Sequence, residues 1–298
     1  MRNSRLLAFA QLLRLPNVFT AFADILMASC AVGTITSEPN AVLALLIASG
    51  LLYLFGMVLN DICDLREDEK ARSFRPLPSK RVGQRTAMIL AFVLMVLGLL
   101  FARWANRFAA ETFTIAAILT VAIILYDSLL KHFWIGPVAM GSCRFLNVLL
   151  GSLAFAPDTV EFVPWHLASV VGLYIVGVTW FARTEEGESR KRLLAGAAGV
   201  MALSVGLAIA VPIHLPAGQA PVYYPYLLVL FGFIVGTPIV AAIRNPTPKS
   251  VQAAVKRSIF GLVLLDAILA TAFVGWPGLM IVLLLIPAVF LGKWVYST

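Results

Sequence analysis

Asn60, Asp61, Asp64 and Asp68 carry side chains able to grip a hard divalent cation, and their spacing is regular. Asn60, Asp64 and Asp68 are four residues apart and Asp61 precedes Asp68 by seven, so at about 100° per residue a helix places all four on one face. Three like charges on one face repel, at a cost of roughly a few tenths of a kcal/mol per pair, unless a cation lies among them. Oxygen-only ligands on a rigid helix suit Mg²⁺, which takes one or two carboxylates and completes its shell with water and substrate phosphates. A solvated, charge-mixed loop is the competing reading, because Arg66, Lys70, Arg72 and Arg75 follow at once. The position favours the metal: the stretch directly follows the apolar run 41–59, where a hydrophobic helix leaves the bilayer.

A second acidic segment, Thr184-Glu185-Glu186-Gly187-Glu188, follows another apolar run. Glu185 and Glu188, three apart, share a helical face. Alone this is an ordinary helix-connecting loop; facing the first segment across a bundle, it completes a carboxylate set able to hold about two or three Mg²⁺ ions around a diphosphate.

Other polar residues stand inside apolar runs. Arg144 lies mid-span, where a charge costs about 2.5–3.5 kcal/mol on insertion scales, so it is expected to face an interior cavity and to have a partner. Gly136, Gly141 and Gly151 surround it and leave room for a ligand or for close helix packing. Tyr126, Asp127 and Lys131 fall at one level near the end of a span, as interfacial anchors, as an i,i+4 ion pair or as part of a site. Asp24 and Asp266 are also expected inside spans and need partners that the sequence does not name. His132, His166 and His214 are scattered and no serine has a base nearby, which leaves no zinc site or hydrolase triad. Gly232 and Gly236 form a G-x-x-x-G packing motif.

The elements that must position these groups are membrane helices. The chain has 298 residues, 60% hydrophobic and 13% charged, with mean hydropathy +0.91; a soluble domain carries about 25% charged residues. Runs of about 20 apolar residues predict ten spans, near 16–36, 41–60, 85–103, 109–127, 134–156, 165–183, 193–213, 222–243, 258–275 and 277–296. With the N-terminus cytoplasmic, twenty of the 23 basic residues fall on the cytoplasmic side, which sets the topology. The net charge of +8 is then a positive-inside bias in contact with anionic membrane lipid, and nucleic acid is excluded as a partner. Asp24 and Arg14 interrupt the signal-like start before Cys30, so the first span reads as an uncleaved anchor. Cys30, Cys63 and Cys143 show no metal spacing and no disulfide framework. No linker divides residues 1–298, which are read as one domain. A weak echo pairs Arg14-Leu15-Pro16-Asn17 with Arg144-Phe145-Leu146-Asn147, as a duplicated four-helix unit gives.

Asn60-Asp61-x-x-Asp64-x-x-x-Asp68 followed by Arg75-Pro76-Leu77-Pro78-Ser79 closely resembles the first aspartate-rich motif and following loop of the UbiA superfamily of intramembrane prenyltransferases. Tyr126 with Lys131, the Gly-rich fifth span with Arg144, and the acidic segment after the sixth span extend the resemblance over most of the chain. It implies an all-α bundle of nine to ten transmembrane helices, with a cavity open to the cytoplasmic side and to lipid, in the cytoplasmic (inner) membrane. It implies Mg²⁺-dependent transfer of an isoprenyl group from a prenyl diphosphate to a lipid-soluble, often aromatic, acceptor. Asn60, Asp61, Asp64, Asp68, Glu185 and Glu188 would bind Mg²⁺. Asp64, Asp68, Lys131 and Arg144 would be catalytic, the last two on the diphosphate, and Asn17, Arg72, Tyr126, Asp127 and Asn147 would contact substrate. The sequence departs from the family pattern at the second motif, where Thr184 and Glu188 stand for two aspartates, and at Lys80, where a glycine usually follows Pro-Leu-Pro-Ser. These departures resemble a divergent, EboC-like branch. They also motivate the alternative of a non-catalytic isoprenoid carrier on the same fold.

Overall fold

A computed structural model describes residues 5–106, 110–155, 162–183, 190–216 and 219–295, and all regular structure among them is helical. In chain order the α-helices are α1 (Arg5–Leu12), α2 (Val18–Ala31), α3 (Thr34–Ser37), α4 (Pro39–Cys63), α5 (Leu65–Ala71), α6 (Gln84–Ala105), α7 (Ala110–Ser128), α8 (Gly136–Ser152), α9 (Val163–Ala182), α10 (Lys191–Ala210), α11 (Tyr224–Arg244), α12 (Pro248–Val274) and α13 (Leu285–Gly292). Their ends follow local chemistry. Pro39 and Pro248 occupy first turns, where the missing N–H is not needed. Thr247 and Ser250 close a capping box before α12, and Gly275, at φ +68°, ends it.

Among the described residues, seven helices are long and apolar enough to cross a membrane: α4, α6, α7, α9, the stretch Lys191–His214, α11 and α12. An eighth forms if α1 and Leu15–Ala31 count together across their 44° bend. This is fewer than the nine to ten expected, because two apolar runs make shorter helices: α8 has 17 residues, and Trp276–Gly292 begins as a 3₁₀ helix over Trp276–Leu284. Residue number understates the reach of the second. At about 2.0 Å per 3₁₀ residue and 1.5 Å per α residue, Trp276–Gly292 rises about 30 Å, the thickness of a bilayer core.

α12 is the central helix, with 67% of its apolar stretch buried within the protein, against 28% for α6 and α11. α6 shows the cause. Ala87, Ala91, Leu94, Gly98 and Ala102, at spacings of three and four, face inward, while Met88, Phe92, Leu97 and Leu100 point out. In water that outer face would be a liability; in lipid it needs no partner. α8 packs closely on α9 at Gly141, where an added Cβ would lie 2.6 Å from the Gly172 carbonyl oxygen and against Val176. A backbone oxygen cannot move aside, so Gly141→Ala is expected to destabilise by about 1–3 kcal/mol, read as a lower unfolding temperature in detergent. Gly232 and Gly236 have nothing within 4 Å of an added Cβ, so this motif forms no close helix contact among the described residues.

Candidate active site

The C-terminal ends of α4 and α7, the short α5, the loop 72–83 and α1 meet at one end of the bundle. The helix bearing the aspartates is not continuous: α4 ends at Cys63, Asp64 is the junction residue, and α5 resumes at Leu65. The four oxygen-bearing residues consequently divide into two groups.

In the first, Asp61 and Asp68 are buried and held by arginines. Arg14 Nη2 lies 2.9 Å from Asp61 Oδ1, and Arg75 Nη1 lies 2.7 Å from Asp68 Oδ2 and 3.8 Å from Asp61 Oδ1. Arg72 stands 3.6 Å from Asp68. Arg75 is 7% exposed, so it is an internal cation bridging two internal anions. Arg14 adopts the left-handed conformation at φ +45°, which costs of order 1–3 kcal/mol in a residue with a side chain; its contact with Asp61 helps to hold it there.

The second group is Asn60, Asp64, Asp127 and Lys131. Asn60 Nδ2 donates to Asp127 Oδ1 at 2.9 Å, and Lys131 Nζ lies 2.6 Å from Asp64 Oδ1. Among the described residues, Asn60 Oδ1 receives only a long contact, 3.4 Å, from Arg14 Nη2, and this links the two groups. Lys131 sits in the 3₁₀ turn Leu130–His132 that follows α7, and Tyr126, in the last turn of α7, is half-buried.

The loop 72–83 covers this end. Arg81 ties it down, donating from Nη1 to Gln11 Oε1 at 2.8 Å and from Nη2 to the Phe74 carbonyl at 2.7 Å, while Leu77 and Val82 are buried. Lys80 has φ +57°, which explains why a glycine would suit this position. Lys80→Gly is expected to stabilise the protein by roughly 0.5–1 kcal/mol, the relief of left-handed strain less the added freedom of the unfolded chain, measured as a raised unfolding temperature.

Arg144 is placed deeper. It lies 5.2 Å over the Tyr53 ring, seven residues and so about 10 Å before Asn60 along α4. Its Nη1 donates to Asp24 Oδ2 at 3.0 Å and its Nη2 to Thr20 Oγ1 at 2.7 Å, which supplies the partner that a mid-span arginine needs. Asn147 Nδ2 donates to the same Asp24 oxygen at 2.8 Å, and Ser49 Oγ donates to Asn147 Oδ1 at 2.7 Å. Thr20 Oγ1 in turn donates to the Asn17 carbonyl oxygen at 2.8 Å. Asn17, Arg144 and Asn147 therefore share one polar network inward of the acidic end.

Among the described residues, no three His, Cys, Asp or Glu side chains gather closely enough to hold a metal ion by themselves. Glu185 and Glu188 lie outside the described residues. Two concavities occur elsewhere, about 350 Å³ beside Lys256 and Arg257 and about 260 Å³ beside Trp180 and Arg183; neither is lined by Asn60, Asp64 or Lys131. At the acidic end the side chains bond to one another. Spacing alone did not identify Arg14 or Arg75, although each stands just before a proline or Leu-Pro step at a membrane boundary. The scattered histidines also need correction: His166 Nδ1 and His214 Nε2 are 2.7 Å apart, where the start of α9 meets the turn after α10.

The sequence pattern described as the UbiA prenyltransferase family matches residues 18–260. The chain is 27% identical over 152 residues to digeranylgeranylglyceryl phosphate synthase of Saccharolobus solfataricus, covering 51% of this chain and 53% of that one. It is 33% identical over 129 residues to the enzyme of the same name from Methanococcus maripaludis, covering 42% of this chain and 44% of that one. The chain thus spans about half the length of the curated relatives it matches. Among solved structures, one concerned with digeranylgeranylglyceryl phosphate synthase in membranes superimposes with TM-score 0.68 at 18% identity, over 91% of this chain and 99% of that one. A UbiA homolog from Archaeoglobus fulgidus bound to DMAPP and Mg²⁺ superimposes with TM-score 0.59 at 15% identity, over 88% of this chain and 98% of that one. At these identities the structures establish a shared fold.

Proposed function

This chain belongs to the UbiA prenyltransferase family, and we propose that it moves an isoprenyl group from a Mg²⁺-bound prenyl diphosphate to a lipid-soluble acceptor at the end of the bundle that carries Asn60 and Asp64. It is a multi-pass integral membrane protein. The one-sided placement of basic residues supports a cytoplasmic N-terminus in the cytoplasmic membrane, and the rise of Trp276–Gly292 supports counting it as a crossing.

The observation that carries the reading is the set Asn60, Asp64, Asp127 and Lys131 at the ends of two neighbouring membrane helices. Its donors fit Mg²⁺: all are oxygens, and Asn60 Oδ1 is nearly unoccupied. The lack of a closed carboxylate cage also fits, because Mg²⁺ commonly takes one or two carboxylates and leaves the remaining positions to water and substrate phosphates. Asn60 and Asp64 would hold the ion, with Asp127 fixing the Asn60 amide so that its oxygen faces outward, and with Glu185 and Glu188 as candidates for a second ion. Asp61 and Asp68 are assigned instead to orienting Arg14, Arg72 and Arg75, which would contact the diphosphate. When bound, Mg²⁺ neutralises the leaving diphosphate.

This chain's residues do the rest. Lys131, poised on Asp64, exchanges that partner for a diphosphate oxygen, a charge-assisted contact that strengthens as the leaving group gains charge. Breaking the bond from the allylic carbon to the diphosphate oxygen leaves positive charge on carbon. The acceptor atom bonds there and passes its proton to the released diphosphate, which departs with the electron pair of the broken bond. Arg144 would anchor the inner part of the substrate site, beside Tyr53. The relatives' names favour a glyceryl phosphate lipid as acceptor over an aromatic ring.

Purified protein supplied with geranylgeranyl diphosphate, Mg²⁺ and membrane lipid extract is expected to release diphosphate and form a prenylated lipid visible by mass spectrometry. Tight binding of the prenyl diphosphate without release would overturn catalysis and establish the carrier alternative.

A further inference from the structure

The bundle core holds a charge imbalance that the proposed reaction does not use. Asp24 on α2 and Asp266 on α12 are both fully buried, on two helices that pack against each other, and each carboxyl lies in the other's electrostatic surroundings. Asp24 Oδ2 is satisfied by Arg144 and Asn147. Among the described residues, none donates a hydrogen bond to Asp24 Oδ1 or to either Asp266 oxygen. Two ionised carboxylates would therefore share one guanidinium, and three acceptor oxygens would face each other without a donor, which a lipid-embedded core does not tolerate.

We propose that Asp24 and Asp266 form a buried proton-binding site in which an acid and a carboxylate share one proton, so that the pair carries a single negative charge matched by Arg144. The proton supplies the missing donor between the unpartnered oxygens, and like charges this close cannot both ionise. The groups around the pair fit this reading. Arg144 is the cation that faces it, Asn147 donates to its outer oxygen, and Tyr174 on α9 directs its hydroxyl away to the Ser258 carbonyl at 2.9 Å. A metal ion is disfavoured, since three free oxygens fall short of the six that Mg²⁺ or Ca²⁺ require. Asp266 acts as a positioning residue: it keeps Asp24 singly committed to Arg144, and through it the guanidinium over Tyr53.

Infrared spectroscopy of the whole protein in nanodiscs tests this without substrate. The wild type is expected to show the carbonyl stretch of a protonated carboxylic acid, shifted on exchange into D₂O. The band should vanish in Asp266→Asn, whose amide replaces the acid as donor to Asp24. It should vanish also in Asp24→Asn, where the remaining carboxyl ionises against Arg144. Survival of the band in both variants, or its absence from the wild type, overturns the proposal; a band that emerges only in sodium-free buffer would reveal a bound alkali cation instead. Folding is controlled by Asp266→Asn, expected to keep the wild-type unfolding temperature. A second readout rests on the prenyl diphosphate reading above: Asp24→Asn, which takes from Arg144 the carboxylate that holds it over Tyr53 and turns it toward Asp266, should raise KM for prenyl diphosphate about tenfold or more, while Asp266→Asn, whose amide keeps Asp24 in place, should leave it near wild type. Failure of the KM readout with the infrared pattern intact would count against the substrate assignment, not against the proton site.

Discussion

Asp64→Ala is expected to lower kcat/KM for prenyl diphosphate by about 10³-fold and to raise the Mg²⁺ concentration needed for half-maximal activity. Asp64 has two tasks. It is the carboxylate at the junction of α4 and α5, one helical turn after Asn60, and it holds Lys131 at 2.6 Å. Removing it deletes a metal ligand and leaves Lys131 without the anion that positions it, and loss of one preorganised charge-stabilising group commonly costs about 10²–10³ in rate. Asp61→Asn is the comparison. Asp61 is committed to Arg14 and Arg75, so its loss should act mainly through stability and substrate affinity. A rate loss in Asp61→Asn equal to that of Asp64→Ala, with an unchanged unfolding temperature, would place Asp61 among the ligands instead.

The largest effect on stability is expected from Arg75→Ala, at about 3–5 kcal/mol. The guanidinium lies between the Asp61 and Asp68 carboxylates, whose side chains are only 4% and 1% exposed, and truncation leaves two buried anions facing each other. Breaking one member out of a buried charge cluster is far more costly than replacing the cluster as a whole. Arg75→Met combined with Asp68→Asn should therefore recover much of the loss. Unfolding temperatures of the three proteins in one detergent check this, and a double variant no more stable than Arg75→Ala would show that the arginine acts through packing alone.

What the sequence revealed and what it concealed divide along physical lines. Each apolar run predicted as a span coincides with a helix, because lipid forces backbone groups to bond within the segment and apolar length is read directly. How many runs count as full crossings was less legible, since α8 is short and Trp276–Leu284 is wound as 3₁₀, and neither follows from hydropathy. Asn60, Asp64 and Lys131 stood out by type, spacing and place, and the fold brings them together. The roles of Arg14 and Arg75 were hidden by their surroundings: a basic residue at a cytoplasmic boundary is already explained by positive-inside bias, and pairing Arg14 with Asp61 across 47 positions needs the fold. The same holds for His166 with His214 and for Asp24 with Asp266, whose lack of a nearby partner in sequence was a sign that one lay elsewhere. At Lys80 the sequence showed the departure from a family glycine, but the left-handed backbone that accounts for the glycine came only with the fold.

The central claim is that the Asn60 and Asp64 oxygens recognise a prenyl diphosphate through Mg²⁺. Equilibrium binding of labelled geranylgeranyl diphosphate to the full chain in nanodiscs, titrated with Mg²⁺ and then with EDTA, tests it most directly. Saturable binding that appears with Mg²⁺, disappears with EDTA and is absent from Asp64→Ala is the predicted result. Binding of equal strength in EDTA, or in Asp64→Ala, would contradict it.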